Sequence, residues 1–463
     1  MKNQSGYTPS ILDRSQIPIP EELRPFRFPD FEQIKLSNGL LVIVAAQNHL
    51  PLVSVNLCLN ASGLTDPAGT EGLSYLLTET LFEGSKEKTS TEIANALELL
   101  GTNYYTHADW NAIQIEINSL SKNLDASMML YAEVLKHAVF PEREVERVKK
   151  ELIIERQRVS DNPAKLSNEF LYQQMYNGHR YGIPLEGDLA SIQKIKRDHL
   201  LKYYKSIFIP NESAIIFAGD ISREKALKLA EDHFGDWRPG KLFSIPKFAG
   251  TYPKTLEISL IHKPGAAQAE MRLGHLGIER ADSDYYAITL LNEIFGGYFL
   301  SRINMNLREK HGYTYGASSV FSYRKIRGPF LIAASVQNEA IDKAVQEVIY
   351  ELERIQSEFV SDEELANAKG YLTGVFPVAF ETVDQVAMGL ANLVIFRLEQ
   401  DFYQNYPSHI NNVTQDEILR AAKKHLHPDK MHVVITGDRT KLEDRLKGLG
   451  RLSVFDLNGI ELE

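Results

Sequence analysis

Two kinds of apolar periodicity alternate along the chain. Short blocks such as LLVIVAA (Leu40 to Ala46) and AIIFAG (Ala214 to Gly219), and the alternating run Val53, Val55, Leu57, Leu59, have the length and β-branched content of strands. Asn38-Gly39, just ahead of the first block, is a turn signal. A period near 3.6 predicts a helix from Gly72, where Leu73, Leu76, Leu77 and Leu81 share a face, and another from about Pro141 to Ser160. The alternation returns in the second half, with LEISLIHK and AEMRLGHLGI as strands and DYYAITLLNEIFGG and IDKAVQEVIYELERIQSEF as helices. Strands followed by segregated helices, twice over, predict an α+β fold built on antiparallel sheets.

The halves also resemble each other residue by residue. Ile195 to Asp220 aligns without a gap on Val413 to Asp438, at a constant offset of 218 that pairs Asp198 with Asp416, Pro210 with Pro428 and Gly219-Asp220 with Gly437-Asp438. Each copy reads as a capped amphipathic helix, a proline stop and a buried strand ending in Gly-Asp. An offset close to half of 463 residues points to internal duplication. Five prolines within residues 1–30 predict an extended arm there. Residues 239–254, rich in proline and glycine and without an acidic residue, read as a linker between domains 31–238 and 255–463.

Composition narrows the function. With 43% hydrophobic and 24% charged residues the chain is globular, which excludes disorder, collagen and coiled coil. A net charge of −10 disfavours nucleic acid as the main partner. The single cysteine, Cys58, excludes an internal disulfide and any paired-cysteine metal knuckle, and its place on a strand reads as a buried, inert thiol. The first residues lack an apolar signal core and the longest apolar runs are strand-length, so the expectation is a soluble, cytoplasmic protein with no membrane span.

Candidate chemistry centres on GLSYLLTETLFEGS, Gly72 to Ser85. Tyr75 and Glu79 are four residues apart and point the same way from the predicted helix. Together with ERQRVSDNP from Glu155, this pattern resembles the pitrilysin/insulinase metallopeptidase family, the inverted zincins. The resemblance implies a helix bearing His-x-x-Glu-His and a zinc-binding Glu some 76 residues later, the inner Glu acting as general base on metal-bound water. Carried over by position, Tyr75 stands for the first His, Thr78 for the base and Glu79 for the second His. Only Glu155, 76 residues after Glu79, is the expected type. Without imidazoles, and with threonine where a base is needed, the chain is expected to hold no metal and to hydrolyse nothing alone.

The resemblance extends over nearly all of the chain after residue 30, through HAVFPEREVERVKKELIIERQRVSDNP, YGIPLEGDLASIQKIKRDHLLKYYKSIFIPNESAIIFAGD and NEIFGGYFLSRINMNLREKHGYTYGASS. It implies two homologous α/β-roll domains, mostly antiparallel sheet with helices on one side, forming half of a chamber. In the family's two-subunit bacterial branch one chain carries the zinc motif and the other an Arg/Tyr pair that binds substrate. LREKHGYTY supplies such a pair, Arg308 and Tyr315. A guanidinium fork suits a peptide carbonyl or carboxylate, and a phenol can donate to a developing oxyanion. The resulting expectation is a non-catalytic, substrate-binding subunit of a heterodimeric zinc metallopeptidase, with zinc in the homologous partner and peptides as substrates. The alternative is a scaffold homologue without a proteolytic role. His425 and His427 read as a surface helix end, His262 and His275 as ordinary strand residues, and Gly296-Gly297 as helix termination with close packing rather than a nucleotide loop.

Overall fold

The structure, a computed structural model, describes residues 26–241, 248, 250 and 252–463. Most of the arm expected over 1–30, and 242–247, 249 and 251 of the expected linker, lie outside the described residues. The described end of the arm packs inward: Phe28 lies 5.0 Å from Tyr403 and 5.1 Å from Phe380, and Phe26 lies 4.9 Å from Phe376.

Two sheets organise the chain. The first contains β1 (Glu32–Lys35), β2 (Leu41–Ala46), β3 (Leu52–Leu59), β4 (Asn103–Ala108), β5 (Ile113–Leu120) and β6 (Ser213–Gly219), in the order β1-β2-β6-β3-β5-β4. The second contains β7 (Glu257–His262), β8 (Gln268–Leu276), β9 (Thr314–Phe321), β10 (Pro329–Gln337), β11 (His432–Gly437), β12 (Arg451–Phe455) and β13 (Glu461–Leu462), in the order β13-β12-β7-β11-β8-β10-β9. The five strands β2-β6-β3-β5-β4 match β7-β11-β8-β10-β9 in order and in sense: the first pair is parallel in each sheet and the other three are antiparallel. The aligned repeat falls on equivalent elements, the helices Arg197–Ile207 and Gln415–His425, then β6 and β11.

The fold is α+β, as its alternation predicts. One face of each sheet carries helices of its own half: Val55, Leu57, Ile115 and Phe217 meet Leu76, Met128, Leu200 and Ala226, while Leu260, Leu273 and Ile332 meet Ile288, Val348 and Ile418. The opposite faces are covered as well, each by a helix from the other half. Val383–Phe396 sets Val386, Ala387 and Leu390 on Ile43, Cys58 and Ile216 of the first sheet. Pro163–Met175 sets Phe170, Leu171 and Met175 against Ile261, Leu276 and Val434 of the second. Ser167 and Thr436 hydroxyls, 2.7 Å apart and buried, mark the second contact. The unbroken burial of β6 and β11 follows, since strands covered on both faces do not alternate between buried and exposed positions. Cys58 is buried in this layer, where desolvation pushes its thiol up to about 12, so it is inert as expected. Among the described residues no single helix is long and apolar enough to cross a membrane.

Candidate functional site

The degenerate motif lies on the helix Leu73–Thr80. Its N-terminus is built by a residue well upstream. Asp66 accepts from the backbone N–H of Gly72 and of Ser74, each at 2.8 Å, and from Arg180 Nη2 at 3.1 Å. Arg180 also donates to the carbonyls of Ile183, Pro184 and Leu185. One carboxylate and one guanidinium thus fix the start of the motif helix against loop 183–188. Gly72 completes the lock: its φ is +95°, and a Cβ there would collide with the Glu186 carbonyl.

Leu73, Leu76, Leu77 and Leu81 are buried, which leaves Tyr75 and Glu79 on the outward side. Glu155 arrives from the helix Glu142–Gln157, whose end is held by the fork of Arg156 on Glu169, both contacts at 2.6 Å. The structure brings Tyr75, Glu79 and Glu155 into one electrostatic neighbourhood with Glu186. Burial and then the charges of Glu79, Glu186 and Glu155 push the Tyr75 phenol up to about 12. Burial and then Glu155 raise the Glu79 carboxyl above its usual range. Among the described residues neither Glu79 nor Glu155 has an ion-pair partner. Thr78 is buried, and its hydroxyl donates to the Tyr75 carbonyl at 2.8 Å within its own helix. It is neither a base nor aimed at the carboxylates.

This donor set does not fit zinc. It offers a protonated phenol and two carboxylates in place of two imidazoles and a carboxylate. Among the described residues the one cluster with ligand atoms close enough to hold an ion is Asp282, Asp284 and His425, in the other half. That cluster is an ion-pair network: Asp284 accepts from Lys424 at 2.7 Å, His425 Nε2 at 2.8 Å and Arg420 at 3.1 Å. Burial works against the Asp284 carboxylate, but Lys424 and His425 outweigh it and hold it below its usual range. The surface-helix-end reading of His425 and His427 is therefore corrected. His425 is buried against Asp284, and His427 is half-buried, 4.8 Å from Tyr252 and 5.3 Å from His275. His425 meets the N-cap of the helix Tyr285–Asn292 and His427 meets β8, contacts that single-sequence periodicity does not place.

Arg308 lies in the wide helical turn Met305–Lys310, with its guanidinium 4.5 Å from the centre of the Phe299 ring and Nε 3.4 Å from Glu309. Tyr315 is 90% exposed near the start of the edge strand β9. The β9–β10 register shifts there: Ala317 pairs with Ala334 and Thr314 with Val336, so Tyr315 and Gly316 together oppose Ser335. A bulge of this kind re-aims a side chain, and Thr314 Oγ1 pins it by donating to the Ser335 carbonyl at 2.7 Å. Gly312, with φ of +66° and its N–H donating to the Arg308 carbonyl at 3.0 Å, turns the chain from one residue to the other. Both side chains reach solvent at this end of the second sheet. Gly296 behaves as its glycine pair predicts, since a methyl there would collide with Ser319. Sequence reasoning missed Asp66 and Arg180, because Asp66 caps across six residues rather than the three of a capping box.

Comparison with known proteins agrees with this geometry. Residues 41–189 match the family described as Insulinase (Peptidase family M16), and residues 194–372 match the Peptidase M16 inactive domain. The chain is 26% identical over 357 residues to an uncharacterized zinc protease of Rickettsia bellii, covering 76% of this chain and 85% of that protein. It is 23% identical over 419 residues to the non-peptidase homolog YmxG of Helicobacter pylori, covering 88% and 94%. A crystal structure of a peptidase M16 inactive domain from Pseudomonas fluorescens superposes with a TM-score of 0.83 at 26% identity, covering 88% of this chain and 98% of that one. The chain belongs to the insulinase (M16) peptidase family, with its second half matching the domain of that family described as inactive.

Proposed function

We propose that this chain is the non-catalytic, substrate-binding subunit of a two-chain zinc peptidase, with a homologous partner supplying the zinc and its ligands. The observation that carries the reading is the contrast between its two sites. The motif helix is fully built but holds no imidazole and has Thr78 where a base would stand, whereas Arg308 and Tyr315 are presented to solvent by a ring contact and a bulge. Arg308 would hold a peptide carbonyl or terminal carboxylate by its fork, and Tyr315 would donate to the oxygen that gains charge during cleavage.

The test is reconstitution with a homologous zinc-motif chain, read by light scattering and peptide hydrolysis. The mixture should form a heterodimer with activity that neither chain has alone. In that assembly Arg308→Ala and Tyr315→Phe should each lower kcat/KM by about 30- to 1000-fold, the equivalent of roughly 2–4 kcal/mol. Arg308→Lys should restore only part, because an ammonium lacks the planar fork. Tm should stay unchanged, since both side chains are solvent-accessible. Assembly with wild-type kinetics in both variants would instead identify a scaffold homologue.

A further inference from the structure

A second concentration of chemistry lies away from both sites. Between the halves a cavity of about 660 Å³ is lined from one side by Lys35, Asn60 and Glu212 and from the other by Arg280, Lys325 and Arg397, with Arg324 in its wall. Five cations thus surround one carboxylate, in a chain whose net charge is −10. Among the described residues none of the five forms an ion pair. Glu212 is occupied by a neutral donor, Asn60 Nδ2 at 3.1 Å.

The cations are held in ways that leave donors free. Lys325 Nζ donates to Asn60 Oδ1 and to the Asn111 carbonyl, both at 2.6 Å, so its charge meets only neutral acceptors and one proton is left over. Arg280 sets its guanidinium carbon over aromatic rings, 3.8 Å from the centre of Tyr285 and 4.6 Å from that of Phe402. A contact with a ring face consumes no N–H hydrogen bond, so its donors stay available. Arg324 is 6% exposed, between Tyr181 at 4.4 Å and Trp110 at 5.0 Å, with Nη1 unpartnered. Arg397 ends the Val383–Phe396 helix in the left-handed region, φ +53°, a position that glycine usually fills. A charged side chain kept at a strained position, beside others of the same sign, costs stability unless something negative joins them.

We propose that this interdomain cavity binds a small, multiply charged oxyanion, gripped by Lys325 from above Asn60, by the edges of Arg280 and by Arg397. Its volume suits a small organic molecule rather than a folded partner. Because the lining comes from both halves, the bound anion ties them together. Burial holds the Lys325 ammonium below its ordinary range against the opposing influence of Cys58, Asp109 and Glu212, with the Arg397 charge adding to burial, and a bound anion would push it back up.

Calorimetric titration of the full chain at fixed ionic strength tests this, with pyrophosphate and citrate as probes. One equivalent of at least one probe should bind and raise Tm. Tighter binding of pyrophosphate assigns a phosphoryl ligand, and tighter binding of citrate a polycarboxylate. Arg397→Gly and Arg280→Gln should each raise Kd at least tenfold. Arg397→Gly suits the left-handed backbone, so the unliganded variant should melt no lower than wild type, which separates lost binding from lost fold. Absence of saturable binding for both probes up to millimolar concentration, or equal affinity in wild type and Arg397→Gly, would overturn the assignment.

Discussion

Tyr75 and Glu79 project the same way from one helix, and Glu155 reaches the same neighbourhood from another. This arrangement predicts that Tyr75→His, Thr78→Glu and Glu79→His made together will recover a metal site with Glu155. Metal analysis should find about one zinc per chain in the triple variant and none in wild type. A metal-free triple variant would mean that the helix register differs from that of the family motif. The carboxylates also predict a pH effect. The Glu79 carboxyl is raised in the folded state, so stability falls as pH rises from the unfolded value toward and through the folded one. Glu79→Gln should therefore stabilise the fold at neutral pH but not at pH 3, by only about 0.5 kcal/mol for so exposed a group, read as a higher Tm at neutral pH alone. Arg302 and Glu364 behave oppositely. Burial alone would raise Glu364, but the Arg302 fork at 2.6 and 2.9 Å and the Ser361 bonds hold it at about 2. That contribution is complete above the unfolded value near 4.3 and is lost as pH falls toward 2. Arg302→Ala should cost about 2–3 kcal/mol in urea unfolding at pH 7, and much less at pH 2.

At the scale of elements, helices and strands were legible where one face is apolar and the ends carry their own signals. The run from Gly72 and the segment after Pro141 appear within a few residues of their expected bounds. The bulge at Tyr315 was not legible, because it arises from pairing with β10, and neither strand records its partner's register. The two wide helical turns, Glu293–Gly297 and Met305–Lys310, were not legible either, since their spacing of apolar positions is that of an ordinary helix. Gly72 gives a test at this scale. Gly72→Ala meets both a positive φ and the Glu186 carbonyl, so it should cost more than about 2 kcal/mol by denaturant unfolding. Tm within a degree of wild type would show that loop 183–188 yields freely.

For the whole molecule the decisive feature is the exchange of helices. Each sheet's second face is closed by a helix that the sequence places in the other half, through Leu390 on one side and Leu171 on the other. The halves should therefore unfold together, in one calorimetric transition rather than two. Leu390→Ala should cost about 2–5 kcal/mol and shift that single transition without splitting it. Residues 26–238 expressed alone should expose the face of Ile43, Cys58 and Ile216 and bind hydrophobic dye, and residues 252–463 added in trans should reverse this. Two resolved transitions in the intact chain would contradict the interlocked arrangement.

What the sequence determined by itself is local or repeated: the α+β alternation, the 218-residue repeat, and the residue types that stand at 75, 78, 79, 308 and 315. Periodicity, residue chemistry and self-similarity are properties of neighbours along the chain, so one sequence suffices to read them. Only the tertiary structure decided which helix covers which sheet, that Asp66 and Arg180 build the motif helix, and that Lys35, Arg280, Lys325 and Arg397 converge on one cavity. Those contacts join residues up to several hundred positions apart. An apolar stripe states that a face must be buried but not against what, and a cation carries no mark of the charge it will stand beside.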